Sequence, residues 1–289
     1  MRIAVLGSTG MLGSKITELG RAGGHEVLAP SHQEADLTLP LSLEKLFREK
    51  EFEILVNCAA YTRVDACEDP AQYPQAVSAN ATGVGELARL SKQTKRILVH
   101  FSTDYVFNGM KKSPYVETDP VDPINAYGRT KWMGEKLVLE QDPHFYILRT
   151  SWLYGPGGTH FVKTIMGLLK TKPRIEVVTD QVGAPTYTGD LAAFTLELLA
   201  RKAEKGIYHF AGAGEVSWHG FALEIQKQTG LRNCEILATT SDKYQRPAKR
   251  PSNSRFDLSK AVQAAGHPLR PWLEALKYYL EKDLPLEAA

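Results

Sequence analysis

Residues 2–13, RIAVLGSTGMLG, join a short apolar run to a turn with glycines at positions 7, 10 and 13. A continuous run of aliphatic residues is typical of a strand that is buried on both faces. Glycine suits a tight strand-to-helix turn because it accepts positive φ and lets the backbone approach a ligand. The helix that follows would present free N–H groups to a pyrophosphate. This stretch therefore predicts a dinucleotide-binding turn, with a purely structural turn as the alternative.

Further apolar runs of strand length follow along the chain, and stretches of helical period separate them. Strands are predicted at 25–30, 53–60, 96–103 and 145–155, and helices at 13–23, 42–50, 71–94 and 126–141. Strands that alternate with helices imply right-handed βαβ crossovers. We therefore predict an α/β fold with a doubly wound, Rossmann-like parallel sheet.

The alternation of strands and helices becomes less regular after about residue 150. Strands are predicted at 174–180 and 206–212, helices at 189–206 and 218–230, and a long polar loop at 238–257. We expect a dinucleotide-binding domain over 1–150 and a smaller, mainly substrate-binding domain over 151–289. Two segments of the second part, 161–172 and 190–212, are expected to return to the Rossmann core.

The bulk composition is that of an ordinary soluble protein. Hydrophobic residues make up 43% of the chain and charged residues 24%, and the net charge is +2. Neither a basic patch for nucleic acid nor an apolar run of about 20 residues for a membrane is present. Three cysteines without metal-ligand spacing read as reduced thiols, so we expect a cytoplasmic protein.

The segment NAYGRTKWMGEK, residues 125–136, places Tyr127 and Lys131 four residues apart in a predicted helix. Residues at i and i+4 share one helix face. A phenol has an ordinary pKa of about 10, and a nearby ammonium would lower it toward the working range of an acid catalyst. The pair suits hydride transfer to a carbonyl, with Tyr127 protonating the alkoxide and Lys131 also contacting the cofactor ribose. Chance spacing in a helix is the alternative.

A second hydrogen-bond donor to the carbonyl is expected from FSTDYVF, residues 101–107. Ser102 and Thr103 end a predicted buried strand, and doubly wound sheets bind ligands at the carboxyl ends of their strands. We predict that the Thr103 hydroxyl donates the hydrogen bond to the carbonyl, and Ser102 is the alternative donor.

The cofactor is expected to be NADP(H), with NAD(H) left open. A carboxylate at the end of the second strand would bind a ribose 2′-hydroxyl and repel a 2′-phosphate. Ser31 and His32 occupy that place, and no acid occurs before Glu34. No arginine in this stretch decides the question.

The glycine spacing resembles the extended branch of the short-chain dehydrogenase/reductase superfamily. Within it, GSTGMLG, NCAAYTRVDACE, FSTDYVFNG, YGRTKWMGEK, RTSWLYG, DQVGAPT and RPSNSRFD together resemble the dTDP-4-dehydrorhamnose reductase family, in its order and over nearly the whole chain. The resemblance implies NADPH-dependent reduction of the C4 ketone of dTDP-4-dehydro-β-L-rhamnose to dTDP-L-rhamnose, a step in making cell-surface polysaccharide.

The resemblance also implies roles for residues of this sequence. The expected catalytic residues are Tyr127, Lys131 and Thr103. The expected cofactor-binding residues are Gly7, Thr9, Gly10, Met11, Leu12, Gly13, Ser31, Asp36, Leu37, Ala59, Ala60, Tyr61, Tyr127 and Lys131. The expected substrate-binding residues are Thr62, Val64, Thr103, Asp104, Tyr105, Tyr127, Trp152 and Arg250. Trp152 would stack on sugar or base, and Arg250 would bind the diphosphate bidentately.

One departure from the family concerns a metal. Certain members have a carboxylate two residues after the third glycine that joins a magnesium site between two subunits, whereas this chain has Lys15. A cation cannot bind a metal ion, so we expect no metal and a monomer or weak homodimer. Asp190 matches another family carboxylate.

Two other functions stay open on the sequence alone. The regulatory β subunit of methionine adenosyltransferase resembles this chain in the segment DYVF and in the tyrosine and lysine that correspond to Tyr127 and Lys131. That subunit binds NADP and a catalytic partner. Thr103 before the aspartate argues against that function. The second alternative is a reductase or epimerase of another nucleotide sugar.

Overall fold

The computed structural model describes residues 1–284. The strands are β1 (Arg2–Leu6), β2 (Glu26–Leu28), β3 (Ile54–Asn57), β4 (Ile97–Thr103), β5 (His144–Thr150), β6 (Leu153–Tyr154), β7 (Arg174–Val178), β8 (Val182–Gly183), β9 (Thr186–Tyr187), β10 (Gly206–Phe210), β11 (Val216–Ser217) and β12 (Glu235–Thr239). The helices are α1 (Met11–Ala22), α2 (Pro40–Glu49), α3 (Tyr73–Val77), α4 (Gly83–Thr94), α5 (Ala126–Gln141), α6 (Phe161–Thr171), α7 (Thr188–Ala200), α8 (Trp218–Thr229), α9 (Ser259–Ala265) and α10 (Trp272–Tyr278).

Six parallel strands form the central sheet in the order β10-β5-β4-β3-β1-β2. Both faces of the sheet are buried, as β1 illustrates. Ile3 and Val5 belong to one apolar cluster, and Ala4 and Leu6 belong to the cluster on the other face. This confirms the predicted doubly wound parallel sheet with helices on its two sides.

The later elements divide between the sheet and a separate apolar cluster. Strand β10 is an edge of the central sheet, and α7 packs on α1 through Leu191 and Phe194. By contrast, α6 buries Val162 and Ile165 against Phe221 of α8 in a cluster of its own. The expected return of 161–172 to the Rossmann core is therefore wrong. The last five residues of the predicted second domain lie outside the described residues.

Helix ends differ from prediction where the tertiary fold imposes a turn. The stretch 71–94 is divided into α3 and α4 by a wider π-type turn at Ser78–Thr82. Helix α7 ends at Ala200 rather than at Gly206, because the chain must turn before Gly206 begins β10. Among residues 1–284, no helix is both long enough and apolar enough to cross a membrane.

Candidate active site

A cleft of about 930 Å³ opens at the carboxyl ends of β1, β3, β4 and β5. The chain passes from β1 to β2 on one side and then to β3 on the other, so β1 ends where the strand order reverses. Doubly wound sheets bind ligands at this reversal. Every residue that the sequence analysis expects in the site lines the cleft except Arg250.

The glycine turn forms one end of the cleft, and its backbone is closely packed. Gly7 has φ +69°, and a Cβ there would lie 2.8 Å from the backbone nitrogen of Ala59. A Cβ on Gly13 would lie 2.2 Å from the Gly7 carbonyl oxygen. No side chain caps α1 at Gly10, so amides of its first turn remain free to bind an anion. This geometry fits a dinucleotide diphosphate.

Two carboxylates, Glu34 and Asp36, lie near Ser31, and only Asp36 lines the cleft. Glu34 accepts hydrogen bonds from the Ser31 backbone nitrogen and hydroxyl at 2.8 and 2.9 Å. Asp36 accepts from both the backbone nitrogen and the hydroxyl of Thr38 and pairs with His32 at 3.2 Å. Glu34 is thus held by Ser31 beside the cleft, and Asp36 is the carboxylate that lines this end.

Helix α5 carries Tyr127 and Lys131 into the cleft. Asn125 caps the helix by accepting a hydrogen bond from the Gly128 backbone nitrogen at 2.7 Å, which fixes where the helix begins. Lys131 is buried, and its Nζ donates to the Phe101 carbonyl oxygen at 2.6 Å. Burial lowers the pKa of Lys131 to about 8, and the charge of Glu135 acts in the opposite direction.

The Tyr127 phenol differs from expectation in its acidity. Burial raises its pKa, the negative charge of Asp104 and the neighbouring Tyr105 add to this effect, and the Thr103 hydroxyl opposes it. The expected lowering of this pKa by Lys131 is therefore wrong for this structure. A neutral phenol is nevertheless the form that can donate a proton.

Two hydroxyls end β4 in the cleft, as the sequence predicts. The Thr103 hydroxyl donates to Asp104 Oδ1 at 2.9 Å and accepts from the Tyr105 backbone nitrogen at 3.2 Å. The Ser102 hydroxyl is buried without a hydrogen-bond partner among the described residues. Burial raises the pKa of Asp104 to about 6. The geometry does not choose between the two hydroxyls.

Two tryptophan side chains also line the cleft. The indoles of Trp152 and Trp218 stack with ring centroids 3.6 Å apart and an interplanar angle of 11°. Trp152 has φ +49°, an unusual value for a bulky residue, and its indole packs against Gly183. Trp218, which sequence reasoning missed, covers one face of Trp152 and also lines the cleft.

Arg250 lies beside the cleft rather than on its lining. Its guanidinium donates to both carboxylate oxygens of Asp65 at 2.7 and 2.9 Å, and a hydrogen bond to Tyr105 contributes to its raised pKa. Tyr105 itself lines the cleft. The residue expected to bind a diphosphate is thus one side chain away from the cavity and paired with a carboxylate.

Buried polar residues in the cleft wall and behind it were also missed. Asn57 Oδ1 accepts from the Ala59 backbone nitrogen at 3.1 Å, and Asn80 holds both backbone polar groups of Tyr61 at 2.8 and 2.9 Å. His100 lies 3.3 Å from Lys131 Nζ. An asparagine and a histidine inside apolar strands were the available signal, because a buried polar group needs a partner.

The place of the family's metal carboxylate contains ion pairs. Lys15 Nζ lies 3.2 Å from Glu18 and 3.4 Å from Asp283, and Asp190 is paired with Arg270. Within residues 1–284, no cluster of three or more His, Cys, Asp or Glu side chains is arranged to hold a metal ion.

Comparison with known proteins gives consistent matches over nearly the whole length of the chain. Residues 1–284 match the family model described as the RmlD substrate binding domain. The dTDP-4-dehydrorhamnose reductase of Mycolicibacterium smegmatis is 39% identical, over 96% of this chain and 84% of that protein.

Two solved structures of dTDP-4-dehydrorhamnose reductases have the same fold. The enzyme from Clostridium acetobutylicum has a TM-score of 0.92 at 40% identity, with 97% of this chain and 99% of that one covered. The Bacillus anthracis enzyme, in complex with NADP, has a TM-score of 0.91 at 33% identity and the same coverage. The chain therefore belongs to the RmlD family of dTDP-4-dehydrorhamnose reductases.

Proposed function

We propose that this protein reduces the C4 ketone of dTDP-4-dehydro-β-L-rhamnose to dTDP-L-rhamnose with NADPH, and that NADH is the alternative cofactor. The observation that carries the proposal is the convergence of Tyr127, Lys131 and Thr103 in one cleft with the glycine turn. Membership of the RmlD family and the similarity to reductases of that name support the nucleotide-sugar substrate.

The cofactor's binding surface extends along the cleft. The turn at Gly7, Gly10 and Gly13 would hold the diphosphate, and Asp36 would lie on the adenosine side. The loop containing Ala59 and Tyr61 would support the ribose and nicotinamide. The other residues proposed to contact the cofactor are Thr9, Met11, Leu12, Ser31, Leu37, Ala60, Tyr127 and Lys131. The bound cofactor supplies the hydride.

The protein's own part in the reaction is to polarise the ketone and supply a proton. Thr103 would donate a hydrogen bond to the ketone oxygen, which requires its hydroxyl to turn away from Asp104. Tyr127, neutral because burial raises its pKa, would transfer its proton to the alkoxide. Lys131 would orient the cofactor ribose from the same helix face.

The substrate is expected to lie between the two halves of the cleft. Trp152, with one face covered by Trp218, offers its remaining surface to the sugar or the base. Asp104 and Tyr105 would bind sugar hydroxyls, with Thr62 and Val64 nearby. Arg250 would reach the diphosphate only after a change in its pairing with Asp65, since no part of it lines the cavity.

The proposal is tested by following NADPH oxidation with enzymatically generated dTDP-4-dehydro-L-rhamnose, with Tyr127→Phe as the matched variant. Loss of a general acid should reduce turnover by about 10²-fold or more. NADPH affinity, measured by fluorescence titration, should change by less than about threefold because the ring remains in place.

The outcomes separate the proposed function from its alternatives. Rapid oxidation that the substitution abolishes would support both the reaction and the role of Tyr127. NADPH binding without turnover would contradict the proposal and favour either a different nucleotide sugar or a regulatory subunit. A panel of nucleotide-sugar ketones, run with NADPH and with NADH, would separate the first of these from the second.

A further inference from the structure

A buried chain of hydrogen-bonding groups connects the cofactor loop to Lys131. Asn57 Nδ2 lies 3.2 Å from His100 Nδ1, and His100 Nε2 lies 3.3 Å from Lys131 Nζ. All three residues are at most 2% exposed. Asn57 and Lys131 border the cleft, but the atoms that face His100 point away from solvent, so each donor among them needs a matching acceptor.

The orientation of the Asn57 amide follows from its neighbour. The backbone nitrogen of Ala59 lies 3.1 Å from one amide atom of Asn57, and a backbone N–H can only donate. That amide atom must therefore be Oδ1. The amide nitrogen then faces His100 Nδ1, so Nδ1 must accept.

This arrangement also determines where His100 carries its proton. Burial and the nearby Lys131 both lower the pKa of His100, so the ring is neutral. A neutral ring that accepts at Nδ1 carries its hydrogen on Nε2. The Nε2–H group therefore points at Lys131 Nζ, which already donates to the Phe101 carbonyl oxygen.

An ammonium group has three donors and no lone pair, so it would place donor against donor here, whereas a neutral amine can accept. We infer that, in the nucleotide-free protein at alkaline pH, the His100 Nε2–H group donates to Lys131 as a neutral amine, and that protonation of Lys131 at lower pH requires the His100 ring proton to move from Nε2 to Nδ1. The new proton on Lys131 comes from solvent. His100 only exchanges one ring proton for another, so its charge does not change.

The exchange has a consequence for the cofactor loop. A proton on Nδ1 would face the Asn57 amide nitrogen, so the amide must rotate to present Oδ1 to His100. Ala59 would then lose its acceptor, and Ala59 lies in the loop proposed to support the ribose and nicotinamide. The protonation of Lys131 is thereby coupled to the backbone that contacts the cofactor.

Other charged groups around Lys131 do not remove the conflict. Glu135, one turn further along α5, favours the ammonium, but both of its oxygens accept from Arg149 at 2.6 to 3.1 Å. The amine form is accordingly expected above the pKa of Lys131, which is about 8. Within the proposed function, His100 is a positioning residue that acts through Lys131.

The test is NMR of nucleotide-free protein labelled with ¹⁵N-histidine and ¹³C,¹⁵N-lysine, recorded between about pH 6.5 and pH 9, a range that spans the ordinary pKa of histidine and the lowered one of Lys131. Nitrogen shifts and long-range couplings distinguish the two tautomers from imidazolium. We expect the Nε2–H tautomer at the high end, with conversion to Nδ1–H as Lys131 takes up its proton. An Nδ1–H ring near pH 9, or a tautomer that stays the same while Lys131 takes up its proton, would overturn the inference.

Two variants make the result specific. In Asn57→Asp both carboxylate oxygens accept, so His100 should be Nδ1–H even at the high end of the range. In Lys131→Met no amine titrates, so His100 should remain Nε2–H at every pH. Failure of either variant to show its tautomer would contradict the hydrogen-bond assignment. These spectra need neither substrate nor cofactor, so their outcome is independent of the NADPH oxidation test.

Discussion

Ser102 and Thr103 are adjacent at the end of β4, and the proposed mechanism needs only one of their hydroxyls. A hydrogen bond from the Thr103 hydroxyl to the Tyr127 phenol acts to lower the pKa of that phenol, which favours Thr103. We expect Thr103→Val to reduce kcat by about 10²-fold, the usual effect of removing one donor to a developing oxyanion. Ser102→Ala should reduce kcat by less than about tenfold. Steady-state kinetics of both variants would decide, and the reverse order would assign the role to Ser102.

The buried carboxyl of Asp104 makes stability depend on pH. Its pKa is about 6 in the folded protein against an ordinary 3.8, so the folded state holds the proton more tightly. The stability from this group is full below about pH 4 and is lost as the pH rises through about 6. Asp104→Asn cannot ionise, so its free energy of unfolding relative to the parent should rise by about 3 kcal/mol between about pH 4 and pH 8. Urea unfolding at both pH values measures this, and a difference that is independent of pH would contradict it.

Helix α5 carries the two proposed catalytic residues and a structural one, Tyr127, Lys131 and Glu135, at intervals of four residues. Glu135 and Arg149 form a fully buried ion pair between this helix and β5, with their closest atoms 2.6 Å apart. Such pairs add little over apolar packing, but removing one partner leaves an uncompensated buried charge. The pair therefore fixes α5 to the sheet.

We expect Glu135→Gln to lower the free energy of unfolding by about 3–5 kcal/mol. Glu140→Gln on the same helix is the matched control, because Glu140 and Lys136 are exposed and 3.7 Å apart. That substitution should cost less than about 0.5 kcal/mol. Chemical denaturation of both variants gives the comparison, and equal losses would show that burial of the pair is not what stabilises α5.

Helix α5 spans the predicted range 126–141, and the structure shows that its start is fixed locally, because Asn125 caps its first turn. The end of α7 and the π-type turn at Ser78–Thr82 were missed because tertiary contacts impose them. At the turn, Gly134 of α5 packs so closely that a Cβ would lie 2.1 Å from the Asn80 carbonyl oxygen. The Asn80 side chain then reaches back to Tyr61. No local pattern encodes such an approach.

The site as a whole was predictable where a motif places a residue at a strand end or on a helix face. It was not predictable where partners are far apart in the chain. His100 meets Asn57 across 43 positions, and Trp218 lies far from Trp152 in sequence. Arg250 is a further example. The sequence motif identified the residue, but its pairing with Asp65, 185 positions away, is visible only in the fold.

The pairing of Arg250 with Asp65 connects the polar loop at 238–257 to the segment that follows β3. This connection affects how the cleft as a whole would bind substrate. If Arg250 binds the diphosphate, Arg250→Met should raise the KM for the nucleotide sugar roughly tenfold or more, about 1.4 kcal/mol of binding. Asp65→Asn should leave that KM unchanged or lower it, because it releases the guanidinium. Arg246, 3.6 Å from Asp65, would still balance the carboxylate in the arginine variant.

If instead the pair only holds the two segments together, both substitutions remove the same contact and should raise the KM alike. Steady-state kinetics with the nucleotide sugar varied at saturating NADPH distinguishes these outcomes. Unfolding by urea provides the control, since the two variants should lose similar stability in either case. An equal rise in KM for both variants would therefore remove Arg250 from the proposed substrate site and leave it as a link between the two walls of the cleft.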